Sequence, residues 1–119
     1  MDNQAAGKLG EDLAALFLKK YGYKIIERNF RIRGGEIDII AVDDDTLVYV
    51  EVKTRTSQIF GSPEEAVTPR KIKFLIRAAK FYRANRKNLG LPNLERIDVV
   101  AIELSSVRPR LKLIKNAAF

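Results

Sequence analysis

Leu47-Val48-Tyr49-Val50-Glu51-Val52-Lys53-Thr54 decides the fold, because its residues alternate without interruption. Val48, Val50 and Val52 point one way and Tyr49, Glu51 and Lys53 the other, the period of a β-strand. Immediately upstream, Glu36 to Val42 reads as a second strand, joined to the first by the short polar loop Asp43-Asp44-Asp45-Thr46. So short a link between two β-rich runs predicts an antiparallel hairpin rather than a crossover.

The pattern also predicts the register. Ile37, Ile39 and Ala41 are expected to share a buried face with Val48, Val50 and Val52, and closing the loop with Val42 opposite Leu47 sets Asp38 across from Glu51 and Glu36 across from Lys53. Opposed residues have Cβ atoms about 4.5–5.5 Å apart, a spacing at which like charges destabilise a sheet. A hard divalent cation offsets that repulsion, and closely spaced carboxylate oxygens suit Mg²⁺ or Mn²⁺. Lys53, two residues beyond Glu51, points to the same side, where its charge can stabilise a phosphoryl transition state. The competing reading is a salt-bridged strand in which Glu36, Lys53, Asp38 and Arg55 neutralise one another.

Working outward, Ala6, Leu9, Leu13, Leu16 and Phe17 recur at helical spacing from Gln4 to Tyr21, with Gly22 as the stop. Glu11 projects away from this stripe, on a side shared with Gly7, Ala14 and Leu18, where small residues allow another element to approach. Lys24 to Phe30 reads as a strand, and Gly34-Gly35 as a turn or bulge. Residues 56–67 read as a loop with a short helical turn. Thr68-Pro69 then supplies an N-cap and an N1 proline for a helix running to about Leu89, with Gly90 as its stop and Pro92 beyond. Strands follow at Arg96 to Leu104 and Arg110 to Lys115. The order α-β-β-β-α-β-β predicts an α/β fold with a five-stranded mixed sheet flanked by helices, in one domain over residues 1–119.

The chain has 119 residues, no cysteine and no histidine. Disulfides, thiol nucleophiles, imidazole bases and the usual structural zinc ligands are therefore excluded, leaving carboxylates, amines, hydroxyls or a hard metal. Neither a signal core nor an apolar run near the ~20 residues of a membrane helix is present, so a cytoplasmic protein with no membrane partner is expected. The net charge of +7 points to an anionic polymer. From Ala66 to Leu94 there are eight basic residues and no acidic one. Arg70, Lys73, Arg77 and Lys80 form a stripe continued by Arg83 and Lys87, while Ile72, Leu75, Ile76 and Ala79 supply the packing face. Arg31, Arg33 and Arg55 flank the carboxylates in sequence, where phosphate contacts are needed. Tyr49 and Phe60 read as core residues rather than base-stacking ones, and Asp98 as a partner of Arg96.

Gly10-Glu11, Asn29-Phe30-Arg31, Gly35-Glu36-Ile37-Asp38, Val50-Glu51-Val52-Lys53-Thr54-Arg55, Phe60-Gly61 and Arg96-Ile97-Asp98-Val99 together resemble the YraN-like family of predicted endonucleases. That family is similar to archaeal Holliday-junction resolvases and the wider PD-(D/E)xK superfamily, so the resemblance implies a restriction-endonuclease-like fold. It further implies Asp38 and Glu51 as metal ligands, Lys53 as the catalytic lysine and Glu11 as the helix-borne acid. Ile37 stands where the superfamily's name has proline. The resulting expectation is a Mg²⁺- or Mn²⁺-dependent endonuclease in which Asp38, Glu51, the Val52 carbonyl and Glu11 hold the metal. Its expected partner is nucleic acid, DNA favoured and branched DNA by the resolvase likeness, with a homodimer presenting two sites. The alternatives are a non-catalytic nucleic-acid-binding protein on the same fold and a basic protein-interaction module.

Overall fold

The computed structural model describes residues 2–56, 67–105 and 107–118; the expectations for Phe60, Gly61 and the loop over 57–66 lie outside them. Helix α1 (Asn3–Lys20) leads into strands β1 (Lys24–Ile32), β2 (Gly35–Asp43) and β3 (Thr46–Arg55), then α2 (Pro69–Asn85), β4 (Leu94–Glu103) and β5 (Arg110–Ile114). The sheet order is β1-β2-β3-β4-β5. Only β3 and β4 run parallel, and α2 is their crossover; the other pairs are antiparallel. The α/β order and the mixed five-stranded sheet are those the sequence predicts.

The β2–β3 register also agrees, with Val42 opposite Leu47 and Ile39 opposite Val50. The ladder continues one pair further than expected, to Asp43 and Thr46, so the turn is only Asp44-Asp45, and Asp44 takes a left-handed φ of 55° that aspartate tolerates. At its other end the ladder stops at Ile39–Val50.

A backbone irregularity in β1 lies beside that stop. Asn29 in β1 adopts a left-handed φ of 54°, and the β1–β2 pairing skips from Arg28–Ile39 to Phe30–Ile37 around it. The alternation of β2 breaks at the same level, while the register shift between β1 and β2 lies further on, between Ile25 and Glu27. Ile39 and Ala41 pack with Val48 and Val50 in the core beneath α1, as predicted, but Ile37 instead joins Phe30, Ile40, Leu47 and Tyr49 beneath α2.

Helix α1 is capped by Asp2, whose Oδ1 accepts from the Ala5 N–H at 2.7 Å. Its buried face is Ala6, Gly10, Ala14 and Leu18, at a spacing of four, with Ala15 beside it. The expected stripe is thereby corrected: Leu16 is 64 % exposed and Leu9 is exposed, while Leu13 and Phe17 are only partly buried. Small residues win that face because the helix lies almost on β3; a Cβ on Gly10 would stand 1.9 Å from Thr54 Oγ1.

Helix α2 begins as expected, with Thr68 Oγ1 accepting from the Lys71 N–H at 3.1 Å and proline in the first turn. It ends earlier, at Asn85, after which Lys87–Leu89 forms a 3₁₀ turn capped by Gly90 at a φ of 62°. Its buried face is Leu75, Ala78, Ala79 and Tyr82, whereas Ile76 is exposed.

At the loop end of the sheet, Asp98 is fully buried and fully partnered. It accepts from Arg96 Nε at 2.8 Å, the Tyr23 hydroxyl at 2.8 Å and the Asn116 N–H at 2.9 Å. Arg96 also donates to Asp43 at 2.6 Å, so one guanidinium ties β4 to the β2–β3 turn. Asp98 thus has the structural role expected of it as Arg96's partner. The Arg96 bond also holds the Asp43 carboxyl below the usual carboxylate range.

Candidate metal and nucleic-acid site

Where β2 leaves β3, the backbone of Val52 loses its neighbour strand and a side chain takes over. Asp38 Oδ2 accepts from the Val52 N–H at 2.8 Å. Because a strand residue turns its N–H and C=O toward the same neighbour, the Val52 carbonyl faces the same gap. Asp38 and Glu51 both border it, 9 % and 3 % exposed. The carboxyl of Asp38 is pushed up to about 8, by burial first and by the charge of Glu51 second, with the Val52 N–H opposing.

Glu51 Oε2 lies 3.7 Å from Lys53 Nζ and 3.5 Å from Lys71 Nζ. Oε1 is buried and receives no hydrogen bond from any described residue; the Asp38 carboxyl lies within hydrogen-bonding reach of the Glu51 side chain. Asp38, its carboxyl pushed up, shares a side-chain hydrogen bond with Glu51, so the two buried acids are held by one proton, and a cation that displaces it takes over the same charge balance.

Glu11 reaches the same place from α1. One carboxylate oxygen each of Glu11, Glu36 and Asp38 lie within 4.8 Å of one another. The close packing of Gly10 on Thr54 sets that approach. Glu36 is a correction. It does not neutralise Lys53; it turns toward Glu11 and Asp38, accepting from Arg31 Nε at 3.0 Å and Asn29 Nδ2 at 3.3 Å. Asn29 Nδ2 donates to Glu11 as well, at 2.8 Å, so the residue whose left-handed backbone lies beside the break in the sheet also holds two of the acids together.

The structure brings together Glu11, Asp38, Glu51, Lys53 and the Val52 backbone, all expected, and adds Glu36, Asn29 and Lys71. The signal for Lys71 was its phase: it stands four residues before Leu75 and seven before Ala78, on the packed face of α2, where a lysine needs a reason. The signal for Asn29 was an asparagine in the middle of a strand, a residue type tolerant of positive φ.

A groove of about 680 Å³ lies along α2 beside Lys53, lined by Lys53, Arg70, Lys71, Lys73 and Arg77 over Gly34 and Phe74. Arg77 donates to the Arg33 carbonyl at 3.2 Å, placing the 33–34 turn at the groove's wall. A second groove of about 570 Å³ lies on the α1 side, lined by Glu11, Asn29 and Glu36 with Lys8, Arg28 and Arg31. Arg31 is therefore on the opposite flank from Arg70, Lys73 and Arg77. Lys80 lies apart, lining a smaller cavity of about 160 Å³ with Tyr49 and Glu95. Arg55 closes β3, its carbonyl accepting from Leu104 at 2.8 Å. The expected uncompensated stripe is shorter than predicted, because Arg83 pairs with Glu95 at 3.2 Å. Tyr49 is a core residue, as read.

Among the described residues no helix is long and apolar enough to cross a membrane.

The family described as "Uncharacterised protein family UPF0102" matches residues 10–102. A UPF0102 protein of Syntrophomonas wolfei is 49 % identical over 115 residues, covering 97 % of this chain and 98 % of that protein. One from Geobacter metallireducens is 45 % identical over 117 residues, covering 98 % and 94 %, and one from Syntrophus aciditrophicus is 48 % identical over 115 residues, covering 97 % and 89 %.

Proposed function

The chain belongs to the UPF0102 family, toward which the YraN-like resemblance points, and from that premise we propose that it is a metal-dependent nuclease hydrolysing phosphodiester bonds, with DNA the favoured substrate. One observation carries the reading: two buried acids, Asp38 and Glu51, meet in a break of the sheet with Glu51 Oε1 lacking any described donor. An ordinary structural ion pair has no use for that arrangement, since an unpaired buried carboxylate oxygen costs free energy.

The donor set fits a hard cation. Glu11, Glu36 and Asp38 bring carboxylate oxygens within 4.8 Å of one another, and with Glu51 and the Val52 carbonyl beside Asp38 they offer oxygens only, the choice of Mg²⁺ or Mn²⁺. When bound, such an ion supplies Lewis-acid polarisation of a phosphodiester oxygen and lowers the pKa of water. The protein's own residues do the rest. Lys53, half-exposed at the mouth of the gap, places an ammonium where negative charge develops on the phosphoryl group. Arg70, Lys73 and Arg77 hold flanking phosphates along α2, with Arg33 at the wall, and Arg31 stands at the rim on the α1 side. The basic groove along α2 is one flank, and on the α1 side Arg28 and Arg31 are already paired with Asp12, Glu11 and Glu36, so the strand docks along α2 with its backbone brought to Lys53 beside Glu51. Arg55 and Lys80 serve at the periphery. By analogy with the superfamily the products carry 5′-phosphate and 3′-hydroxyl ends, and a branched substrate engages a homodimer.

The rival is a nucleic-acid-binding protein without catalysis, and the pairing of Glu51 with both Lys53 and Lys71 favours it, since those ammoniums already satisfy one oxygen. A panel of linear, flapped, nicked and four-way-junction DNA with Mg²⁺ or Mn²⁺ separates the two. The nuclease reading expects cleavage by the intact protein and none by Glu51→Ala, with binding retained. Absence of cleavage on every substrate leaves the rival, and equal nicking by Glu51→Ala marks a contaminant.

A further inference from the structure

Lys71 has no place in the mechanism so far, yet its ammonium is the nearer of the two facing Glu51, at 3.5 Å against 3.7 Å for Lys53. It arrives from a different element. Its position in the first turn of α2 is fixed by the Thr68 cap, and its phase on the helix is that of the fully buried Leu75 and Ala78. The stem therefore runs along packed surface while the head emerges over the Phe74 ring, 5.1 Å from the centroid, at the floor of the basic groove. Lys71 faces two kinds of partner at once: the Glu51 carboxylate behind it, and beside Arg70 and Lys73 the groove in which phosphates are held.

Both ammoniums approach the same oxygen, Oε2, and Oε1 has no donor among the described residues. A divalent cation drawn to Glu51 therefore competes with Lys71 for one carboxylate. A cation on Oε1 and Lys71 on Oε2 divide one negative charge and repel each other across it, so whatever the ion gains from Glu51, Lys71 loses.

We propose that Lys71 is an exchangeable counter-ion and positioning residue, which neutralises Glu51 in the metal-free protein and is released to a phosphate of the nucleic acid when a divalent cation takes Glu51. This rests on the nuclease site proposed above and adds a coupling to it: metal and phosphate bind cooperatively because the ion frees a ligand for the phosphate. Lys73, which has no acidic partner among the described residues, offers its charge to nucleic acid whether or not metal is present.

The test uses the full chain, with Mn²⁺ titrated calorimetrically in the absence of nucleic acid. Lys71→Met, which keeps most of the stem over Phe74, is expected to bind Mn²⁺ up to about fivefold more tightly than the wild type, the span of a half-exposed ion pair. Lys71→Arg, which keeps the charge, is expected to restore the wild-type affinity. Anisotropy with a labelled DNA duplex then reads the second half, with Ca²⁺ as a probe ion. Lys71→Met is expected to weaken binding and reduce the salt slope by about one with Ca²⁺ present, and to match the wild type in EDTA. Lys73→Ala is expected to weaken it equally in both. Unchanged or weaker Mn²⁺ binding by Lys71→Met, in a wild type that does bind Mn²⁺, overturns the counter-ion role alone. A DNA defect of the same size with and without Ca²⁺ overturns the release. A wild type that binds no Mn²⁺ removes the metal site and this coupling together, and a wild type that binds Mn²⁺ but no DNA sinks the nuclease reading while the Mn²⁺ comparison still decides the counter-ion role.

Discussion

Among the described residues two places bury acids, and they treat them in opposite ways. At the loop end of the sheet, Asp98 is fully enclosed but receives Arg96, the Tyr23 hydroxyl and the Asn116 N–H, and the same guanidinium satisfies Asp43. At the break between β2 and β3, Asp38 faces Glu51, with Glu11 and Glu36 at the rim. Arginines reach only the rim, Arg31 at Glu36 and Arg28 at Glu11, and the buried pair itself meets a backbone N–H on Asp38 and lysines on one side of Glu51. A fold that can satisfy a buried carboxylate completely at one site leaves a pair of them under-neutralised at another. The first arrangement holds strands together; the second stores repulsion that an incoming cation relieves.

Removing the internal cation is the sharpest way to make the first site resemble the second. Arg96→Met strands Asp98 and weakens Asp43, and is expected to cost about 3–5 kcal/mol in urea unfolding; a loss below about 1 kcal/mol would erase the contrast. At the second site the cations serve chemistry, so Lys53→Ala is expected to lower cleavage by about 10²–10³-fold with the unfolding midpoint nearly unchanged. Gly10→Ala tests the packing that carries Glu11 to the rim. The added methyl collides with Thr54, and the expected destabilisation is about 1–3 kcal/mol, read by thermal melting.

The mildest test is pH. Asp38 titrates near 8 in the folded protein and near the ordinary aspartate value of about 4 when unfolded, so between them the folded state binds more protons. Stability of the metal-free protein therefore falls as pH rises from about 4 to about 8. Asp38→Asn is expected to flatten that fall, leaving a variant that melts higher than the wild type by a few degrees at pH 8 and no higher at pH 5. The reverse ordering would mean that Asp38 is stabilised by its surroundings in the way Asp98 is.

Much of this was legible in the sequence because the β2–β3 hairpin is short and strictly patterned. Alternation from Leu47 to Thr54 leaves one sensible register, and that register brings Asp38 to Glu51. The failures in the hairpin go together. A period-two pattern assumes that a strand stays regular, and the kink at Asn29 is invisible to it. Beside that kink Ile37 changes layers, Glu36 swings from Lys53 to Glu11, and the ladder ends where the site begins. In α1 the largest apolar residues suggested the packed face, but the close approach to β3 at Gly10 favours small residues along most of it, with Leu18 at its end, so Leu9 and Leu16 stay outside. In α2 the run of basic residues was plain, whereas the pairing of Arg83 with Glu95 and of Lys71 with Glu51 depends on strands far away in sequence.

The central claim is that Asp38 and Glu51 are crowded together to receive a divalent cation. It is tested most directly by the thermal shift that Mn²⁺ produces in the wild type and in Asp38→Asn at pH 8. The account predicts a Mn²⁺-dependent rise in melting temperature for the wild type that is absent from the variant. Equal shifts in the two proteins, or none in the wild type, would contradict it.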